Sequence, residues 1–521
     1  MESANYDYVV VGAGTAGCVL ASRLSEDASV RVLLLEAGAE RPLDMMAVPR
    51  AWPALVGGSA DWGGTTTEQA FTGTEIPLPR GRGLGGSSSI NGMNFLRGHR
   101  SSYDSWPGRG AAGWGYDDLL PFFRRSENAP GHGSSARGVG GPLTVAPATE
   151  PNPVVEACVG AALEAGHHRA TDVSAGLEVG FGWCDNNIVS GVRQSAADAY
   201  LRPVLDRPNL RVLSDVLVRR LRIVDGRCVG VVYTAGDRSV PVECDREVVL
   251  CAGAIGSPQL LMVSGVGPPE HLREAGVETA LDLPGVGANL QDHPLSTLTY
   301  ASRRPVPVTP GNPPGEALGL VRTDGTADAP DLQILFASMP LRAPTLPGPD
   351  DGYAIAFSAM NPYSSGTVRL AGPDVRDTPL VDPDYLGDER DIATMGAGLR
   401  VAREIGQAGA LAGWRGEEAL PGPDVRDGQA VRAYLRQSLM CYFHYCGTCA
   451  IGDDAMAVVD TGLRVRGLAG LRVADASVMP AIVSANTNAT TYAIAERAAE
   501  LVKQGSRGEG AAWSGPVQPR G

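Results

Sequence analysis

The segment VVVGAGTAG, which begins at Val9, constrains the fold of this chain more than any other. A short, apolar, β-branched run leads directly into a GxGxxG pattern, as expected for a buried strand that ends in a tight turn. In this pattern Gly12 permits the turn, Gly14 lets a pyrophosphate approach the backbone, and Gly17 lets the following helix pack against the strand. The helix, predicted from Thr15 to Ser25, would direct its N-terminus at the phosphates.

A second strand, VRVLLLE, ends in Glu36, which follows the glycines by about 20 residues. A carboxylate at this position accepts hydrogen bonds from a ribose diol. The strand, turn, helix and acid together predict an adenine dinucleotide site and leave FAD or NAD open. The candidate cofactor contacts of this segment are Gly12, Gly14, Thr15, Ala16, Gly17, Glu36 and Ala37.

Composition excludes several classes of function. The chain has 521 residues and a formal net charge of −14, which argues against binding nucleic acid or an anionic membrane. No apolar run is long enough for a membrane span, and the N-terminus lacks the basic region of a signal peptide. Nine scattered cysteines are typical of reduced thiols, so we expect a cytoplasmic protein that acts on a small molecule.

A nicotinamide-binding domain would continue after Glu36 with another strand and helix, but residues 39–80 are rich in Pro and Gly and predict a long irregular segment. This segment leads into GLGGSSSINGMN. There Gly83, Gly85 and Gly86 leave backbone amides accessible, and Ser87 to Ser89 offer hydroxyls that can cap a following helix. The segment is predicted to hold a bulky polar ligand.

Two long motifs resemble the signatures of the glucose-methanol-choline (GMC) oxidoreductases, a family of FAD-dependent alcohol oxidases and dehydrogenases. Residues 81–104 are similar to the first signature, and GAIGSPQLLMVSGVG, from Gly253, is similar to the second. The resemblance implies FAD as the cofactor. It adds the candidate contacts Gly85, Ser87, Asn91, Gly92, Met93, Asn94, Val216, Ala252, Asp475, Ala476, Asn488 and Thr490.

The resemblance also implies an α/β fold (α+β overall), in which a Rossmann-like FAD-binding domain is interleaved with a substrate domain built on an antiparallel sheet. We assign residues 1–150, 191–295 and 441–504 to the FAD-binding domain, 151–190 and 296–440 to the substrate domain, and 505–521 to a disordered tail. Strand-like runs between Pro-rich turns support the antiparallel sheet, and helices are predicted at Asp391–Ile405 and Gly428–Leu439. Residues 130–141 have the composition of a flexible loop.

His444 lies in MCYFHYCGTCAIG, among aromatic and apolar residues that would depress its pKa and keep it neutral. Taken alone, it could be a core histidine. The resemblance places it at the catalytic position. Tyr442 and Phe443 lie beside it in the sequence and are candidate substrate-pocket residues, although each could equally belong to the core. Cys441, Cys446 and Cys449 raise zinc and CxxC redox alternatives, but their crowding into nine positions favours buried small side chains, so no metal site is predicted.

Asn488 fills the family's second catalytic position, with Asn486 as the neighbouring candidate and an N-cap role as the alternative. The implied reaction is alcohol oxidation. His444 takes the hydroxyl proton, Asn488 donates a hydrogen bond to the developing alkoxide, and flavin N5 accepts the hydride. Ile90 occupies the position at which some members bind flavin covalently through histidine, so noncovalent FAD is expected.

Two other functions remain open at this stage. Some family members are hydroxynitrile lyases with redox-silent FAD, and the histidine of those enzymes is also followed by tyrosine, here Tyr445. A noncatalytic flavoprotein is the third hypothesis. Tyr442 and Phe443 favour an aromatic or otherwise apolar primary alcohol. The motifs leave open the natural alcohol, the oligomeric state and the electron acceptor, whether oxygen or another molecule.

Overall fold

Two seven-stranded sheets organise the protein, whose computed structural model describes residues 5–40, 43–323 and 329–508. Their strands are β1 (Tyr6–Val11), β2 (Val32–Leu35), β3 (Gly180–Trp183), β4 (Leu210–Leu213), β5 (Val216–Val224), β6 (Arg227–Ala235), β7 (Arg238–Leu250), β8 (Pro294–Ser302), β9 (Gly315–Val321), β10 (Leu332–Ala337), β11 (Gly352–Ala359), β12 (Arg415–Leu420), β13 (Met440–Cys441) and β14 (Leu471–Val473). Within the described residues the α-helices are α1 (Thr15–Leu24), α2 (Arg100–Asp104), α3 (Tyr116–Ser126), α4 (Pro153–Glu164), α5 (Gly253–Val263), α6 (Pro269–Glu274), α7 (Glu389–Gln407), α8 (Gly428–Ser438) and α9 (Asn488–Gly508).

The first sheet has a parallel core in the order β4-β2-β1-β7-β14. The four residues of β2 are all buried, and α1 packs against α9 beside the sheet, which explains why β2 and the second half of β1 are apolar. The long strand β7 pairs with β1 in its second half and forms an antiparallel ribbon with β6 and β5 in its first half. The predicted Rossmann-like α/β architecture is confirmed.

The run NLRVLSDVLVRRL, which begins at Asn209, is strand-like along its whole length but forms two strands. Asp215 adopts a left-handed conformation with φ +56°, and the chain breaks there between β4 and β5. The break lets β4 pair with β2 in the parallel core while β5 turns away to pair with β6. It also brings the Val216 N–H to the Glu36 carbonyl, at 2.9 Å.

The second sheet is antiparallel, in the order β12-β8-β11-β10-β9-β3, with β13 paired to β8. Helix α7 packs on one face, where Gly398 lies against Leu332 and Phe357. The alternate residues of these strands therefore face the other way, toward the candidate site. The antiparallel sheet and the helices α7 and α8 agree with the sequence-based predictions. Because β13 pairs with β8, the sheet extends to Cys441, one residue beyond the boundary predicted for the substrate domain at 440. The assignment of chain segments to domains stays a prediction.

The loop at residues 130–141, expected to be flexible, is instead anchored by a buried charge network. Arg137 is 3% exposed and donates hydrogen bonds to Glu127, Asp172 and Asp185. His132 contacts the Asp185 carboxylate at 2.9 Å, and this contact raises its pKa. The Gly- and Ser-rich composition of this loop indicated mobility. Composition could not show that three carboxylates from other segments surround Arg137. Asp172, Asp185 and His132 offer metal-ligating atoms within 4.8 Å of one another, but both aspartates are already ion-paired with Arg137.

The last helix, α9, continues to Gly508, so residues 505–508 of the expected disordered tail are helical. Residues 509–521 lie outside the described residues. No helix in the described part of the chain combines the length and apolarity needed to cross a membrane.

Candidate active site

One cavity of about 730 Å³ connects the glycine turn after β1 with the segment around His444. At one end it is lined by Gly12, Gly14 and Glu36, and at the other by Tyr442, Phe443 and His444. Further lining residues from the predicted cofactor set are Thr15, Ala16, Ala37, Ser87, Asn91, Gly92, Met93, Asn94, Val216, Ala252, Asp475, Ala476 and Asn488. Residues predicted from widely separated motifs therefore line one continuous space.

The three glycines of the turn have different surroundings. At Gly12, with φ +97°, a Cβ would lie 2.6 Å from the Cys251 carbonyl oxygen, and at Gly17 it would lie 1.8 Å from the Gly12 oxygen. At Gly14 a Cβ would meet only the Cys251 oxygen, at 4.0 Å, on the side open to the cavity. Gly12 and Gly17 thus permit close packing, while Gly14 leaves room for a ligand at the N-terminus of α1.

Glu36 connects this turn to the glycine-rich segment. Its buried carboxylate accepts hydrogen bonds from the N–H groups of Ala13 and Gly38 at 2.8 Å and of Gly83 at 3.0 Å. Burial raises its pKa, and the three backbone donors act in the opposite direction. A carboxylate has about four acceptor directions, so the three amides leave one for a ligand hydroxyl.

The sequence suggested that the serines after Gly85 cap the helix that follows, but they do not. They form a 3₁₀ turn, Gly86–Ser89, in which Ser88 donates to the Gly85 carbonyl. Gly85 does not line the cavity. It adopts φ +89° and donates its N–H to the Ala13 carbonyl, which ties this turn to the first one.

At the carboxyl end of β14, Asp475 is buried and accepts hydrogen bonds from the Gly253 and Ser477 N–H groups and from the Ser257 hydroxyl. Burial raises its pKa. Thr490, a predicted cofactor contact, instead hydrogen-bonds to Tyr103 at 2.8 Å and does not line the cavity. The helical period turns its neighbour Thr491 to the cavity in its place.

His444 is paired with a second histidine, His293, and their Nδ1 atoms lie 2.8 Å apart. The other ring nitrogen of His293 contacts the Met360 carbonyl oxygen at 3.1 Å. Since a carbonyl only accepts, His293 Nε2 carries its proton, and a neutral His293 then accepts at Nδ1. His444 must donate from Nδ1, which leaves a lone pair on its Nε2. That atom has no hydrogen bond to a described residue, and His444 lines the cavity.

Both imidazoles are held neutral. Burial lowers the pKa of His293 to about 3. Burial, and then the neighbouring His293, hold the pKa of His444 well below its ordinary value. The neutral state expected from the sequence thus has two causes, of which only the apolar surroundings could be read from the local motif.

Backbone contacts fix the position of His444. Its N–H donates to the buried carboxylate of Asp292 at 2.6 Å, and the Tyr385 hydroxyl donates to the other oxygen of the same carboxylate. Burial raises the pKa of Asp292 to about 7. The preceding residue, Phe443, adopts φ +66°, a strained conformation for an aromatic residue that is retained here beside the cavity.

The cavity beside His444 is largely apolar. The Tyr442 ring lies 4.4 Å from the His444 ring, and Phe443 meets Trp52 edge to face at 6.2 Å. Leu295 and Leu335, from the second sheet, line the same region. The predicted pocket residues Tyr442 and Phe443 are therefore next to the candidate base.

Asn486 and Asn488 both line the cavity but have different partners. The Oδ1 of Asn488 accepts a hydrogen bond from Thr15 at 2.8 Å, which holds it at the start of α1. The Oδ1 of Asn486 is buried and has no hydrogen-bond partner among the described residues. Thr15 therefore holds Asn488 beside the glycine turn, whereas the carboxamide oxygen of Asn486, which also lines the cavity, is left unpaired.

The cysteines near His444 are buried and free. Burial raises the pKa of the Cys441, Cys446 and Cys449 thiols, which disfavours the thiolate that zinc binding or disulfide exchange requires.

The sequence did not single out His293, Asp292 or Trp52. His293 lies in LQDHP, and no local spacing connects it to a histidine 151 residues later. The pairing of β8 with β13 and the bridge between Gln291 and Cys446 bring the two segments together.

The protein combines a parallel sheet that carries a dinucleotide-type turn with an antiparallel sheet, and residues from both line one cavity. This is the architecture of a flavoprotein oxidoreductase. Profiles of the N- and C-terminal GMC oxidoreductase domains match residues 6–295 and 362–495. The chain belongs to the GMC oxidoreductase family and is therefore an oxidoreductase.

Named relatives share most of the chain. Human mitochondrial choline dehydrogenase is 38% identical, covering 98% of this chain and 91% of its own length. Oxygen-dependent choline dehydrogenase of Brucella anthropi is 35% identical, covering 95% of each chain. Among solved structures, pyridoxine 4-oxidase from Mesorbium loti superimposes with a TM-score of 0.93 at 38% identity, covering 96% of this chain and 99% of that one.

Proposed function

We propose that the protein oxidises a neutral, apolar or aromatic primary alcohol to the aldehyde, with FAD as cofactor and His444 as general base. The observation that carries this proposal is the hydrogen-bond chain Met360–His293–His444, which leaves a lone pair on His444 Nε2 at the cavity. FAD, when bound, would supply the hydride acceptor. The open face of Gly14, the remaining acceptor direction on Glu36 and the continuous cavity support its fit.

His444 Nε2 would accept the hydroxyl proton as the carbinol C–H bond is cleaved. His293 would keep His444 in the correct tautomer and, being neutral itself, would not compete for the proton. Asp292 would hold the backbone of the base in place. The aromatic and aliphatic walls would exclude water from the reacting carbon.

For the hydrogen bond to the developing alkoxide, the contacts favour Asn486 over Asn488. Asn488 is hydrogen-bonded to Thr15 at the glycine turn, which suits a cofactor contact. Asn486 lines the cavity and its Oδ1 has no hydrogen-bond partner among the described residues, so its carboxamide is available to a ligand. We therefore propose Asn486 as the second catalytic residue and retain Asn488, with the other cavity-lining candidates, as a cofactor contact.

FAD is proposed to bind noncovalently, because Ile90 is apolar and buried beside the glycine-rich turn and offers no nucleophile. Acid denaturation of the purified holoprotein should release the yellow chromophore into the supernatant. Flavin that remains with the precipitated protein after washing would contradict this prediction.

The substrate should be uncharged, even though several relatives are named choline dehydrogenases. Among the described residues the carboxylates that line the cavity are Glu36, Asp377 and Asp475, and all three lie with cofactor-side segments. A cation beside His444 would find aromatic rings, among them those of Trp52, Tyr442 and Phe443, but no carboxylate of a described residue. A cation–π contact of about 0.5–2 kcal/mol does not offset the several kcal/mol that burial of an unpaired ion costs.

Choline and 3,3-dimethylbutan-1-ol provide a matched test, since they differ mainly in a quaternary nitrogen replaced by carbon. We expect kcat/KM for the neutral alcohol to exceed that for choline by at least ~100-fold, measured as anaerobic flavin reduction, because desolvation of the cation is uncompensated. Benzyl alcohol should also be oxidised, in keeping with the similarity to pyridoxine 4-oxidase, whose named substrate is an aromatic alcohol. A kcat/KM for choline equal to or above that of its carbon analogue would contradict the proposed substrate class.

The electron acceptor is proposed to be oxygen or another small oxidant that reaches the reduced cofactor. A cytoplasmic location is also proposed, and the nine free, buried cysteines support a reducing compartment.

A further inference from the structure

Arg80 lines the cavity with a guanidinium group that lacks an ionic partner among the described residues. Its Nε is buried and makes no hydrogen bond to a described residue. The guanidinium carbon lies 6.0 Å from the centroid of the Trp62 ring, at the outer limit of a cation–π contact. Burial lowers the pKa of Arg80, but an arginine keeps its proton in proteins, so the side chain is a largely buried charge that needs an anion.

A short ribbon carries this arginine. Residues 60–66 and 76–82 pair through backbone hydrogen bonds, one of which joins the Trp62 N–H to the Arg80 carbonyl at 2.8 Å. Asp61, in the same ribbon, does not pair with the guanidinium. Its carboxylate accepts hydrogen bonds from three backbone N–H groups, including that of Arg80 itself at 2.8 Å. The backbone is therefore fixed, while the side chain is left for a ligand.

The ribbon runs along the cavity from one end to the other. Toward the reacting end, the Cys441 thiol donates to the Pro77 carbonyl at 3.1 Å. Toward the glycine-turn end, the Arg82 guanidinium lies 3.4 Å from the Ala37 carbonyl oxygen. Arg80 lies between these two attachments in the chain, and hence between the part of the cavity that suits the ribose and the part beside the candidate base.

Close backbone packing brings the same segment to the start of α1. A Cβ at Gly81, which follows Arg80, would lie 2.2 Å from the Gly86 carbonyl carbon. A Cβ at Gly86 would in turn lie 2.7 Å from the Gly14 Cα. The Arg80 side chain thus begins near the turn at which Gly14 leaves room for a ligand.

The charge of the cavity also calls for a cation at this place. A pyrophosphate is doubly negative, and the carboxylates of Glu36 and Asp475 line the same space. The N-terminus of α1 supplies only a partial positive charge. Arg376, another arginine of the lining, is exposed and already ion-paired with Asp374 at 2.9 Å. Among the described residues, Arg80 is therefore the lining cation best able to neutralise a bound anion.

We infer that Arg80 binds the pyrophosphate of FAD and supplies the charge that the glycine turn lacks. A planar guanidinium pairs with two phosphate oxygens at once, which suits a cation presented from the opposite wall of the cavity. The pairing would satisfy the buried Nε and offset the negative charge of the cofactor. This inference rests on the proposed function, in which FAD is the cofactor.

The test compares Arg80→Gln with a matched control, Arg376→Gln. The purified apoproteins are titrated calorimetrically with FAD, with ADP and with adenosine, which lacks the phosphates. Arg80→Gln should bind FAD and ADP at least ~30-fold more weakly than wild type, because charge-assisted hydrogen bonds to phosphate are lost. Its affinity for adenosine should be unchanged. Arg376→Gln should bind FAD within about threefold of wild type, since an exposed and already paired charge contributes little.

Melting temperatures separate a ligand contact from a structural one. Arg80→Gln should not lower the Tm of the apoprotein, because it removes an unpaired and largely buried charge. It should lower the Tm of the holoprotein, because weaker binding contributes less to stability at the same FAD concentration. Arg80→Lys keeps the charge without the planar fork, so it should recover part of the FAD affinity, and it serves as the readout if Arg80→Gln does not fold.

Three results would overturn the inference. They are an affinity of Arg80→Gln for FAD within about threefold of wild type, equal losses of affinity for ADP and adenosine, and an apoprotein Tm that falls as far as that of the holoprotein. None of these measurements requires turnover. A wild-type flavin that binds through Arg80 but is not reduced by any alcohol would contradict the proposed function alone, so the two failures are distinguishable.

Discussion

Replacement of His444 by alanine should slow flavin reduction by an alcohol by about 10²–10⁴, the usual contribution of a positioned general base. The physical reason is that Nε2 of His444 carries the lone pair facing the cavity, while His293 is turned to the Met360 carbonyl and cannot substitute for it. The rate constant should be measured anaerobically at saturating alcohol, so that the acceptor plays no part. The FAD content should stay at the wild-type level because His444 lies at the far end of the cavity from the glycine turn.

A suitable control is His271→Ala. His271 accepts a hydrogen bond from the Leu370 N–H at 2.9 Å and is not among the residues that line the cavity. Its removal should leave the reduction rate within twofold of wild type. A His444→Ala protein that retains FAD and is reduced at a rate within a few-fold of wild type would remove His444 from the catalytic role.

The second large effect is expected at the glycine turn, where Gly14→Ala should weaken FAD binding and Gly17→Ala should destabilise the fold. Gly14→Ala should fold, because Gly14 has φ −72° and its Cβ would meet no atom closer than 4.0 Å, but the added methyl would occupy the space proposed for the pyrophosphate. We expect its affinity for FAD to fall by at least tenfold, measured by titration of the apoprotein. Its apoprotein Tm should be close to that of wild type.

Gly17→Ala provides the contrast. Its Cβ would lie 1.8 Å from the Gly12 carbonyl oxygen, so α1 must move away from β1. We expect destabilisation of ~3 kcal/mol or more, at or above the upper end of ordinary overpacking costs. Wild-type FAD affinity in Gly14→Ala would show that the phosphates lie elsewhere, and a wild-type Tm for Gly17→Ala would contradict the packing described here.

Features encoded by adjacent residues were predictable from the sequence. The strand before Gly12, the helix after it and the acid at Glu36 follow from local patterns, because the turn geometry and the burial of β1 depend on residues close in the chain. The antiparallel sheet also followed from alternating strands and Pro-rich turns. The hydrogen bond between Gln333 and Tyr442, which joins this sheet to the segment that contains His444, did not follow, since it joins residues 109 positions apart.

The features that the sequence did not predict depend on contacts between residues far apart in the chain. His293 and His444 meet because β13 pairs with β8 and Gln291 bridges to Cys446, and no period in the sequence connects the two histidines. Likewise, the loop containing Arg137 has a mobile composition but is anchored by carboxylates from three other places in the chain. Both His444 and Arg137 are thus held by partners that are distant in the sequence and become neighbours only in the folded protein.

The choice between Asn486 and Asn488 is a finer example. Both lie in the same segment, and a motif resemblance cannot decide between neighbours that differ by two positions. The contacts distinguish them, because Thr15 binds Asn488 at the glycine turn, whereas Asn486 lines the cavity and its Oδ1 is unpaired among the described residues.

Anaerobic mixing of the wild-type holoprotein with benzyl alcohol tests the central claim most directly. We expect the visible flavin absorbance to bleach completely, and to bleach more slowly when the carbinol carbon carries deuterium, because cleavage of that C–H bond is the reaction proposed for the cavity beside His444. Flavin that stays oxidised with benzyl alcohol, 3,3-dimethylbutan-1-ol and choline, while the protein cleaves a cyanohydrin, would contradict the account and identify a lyase.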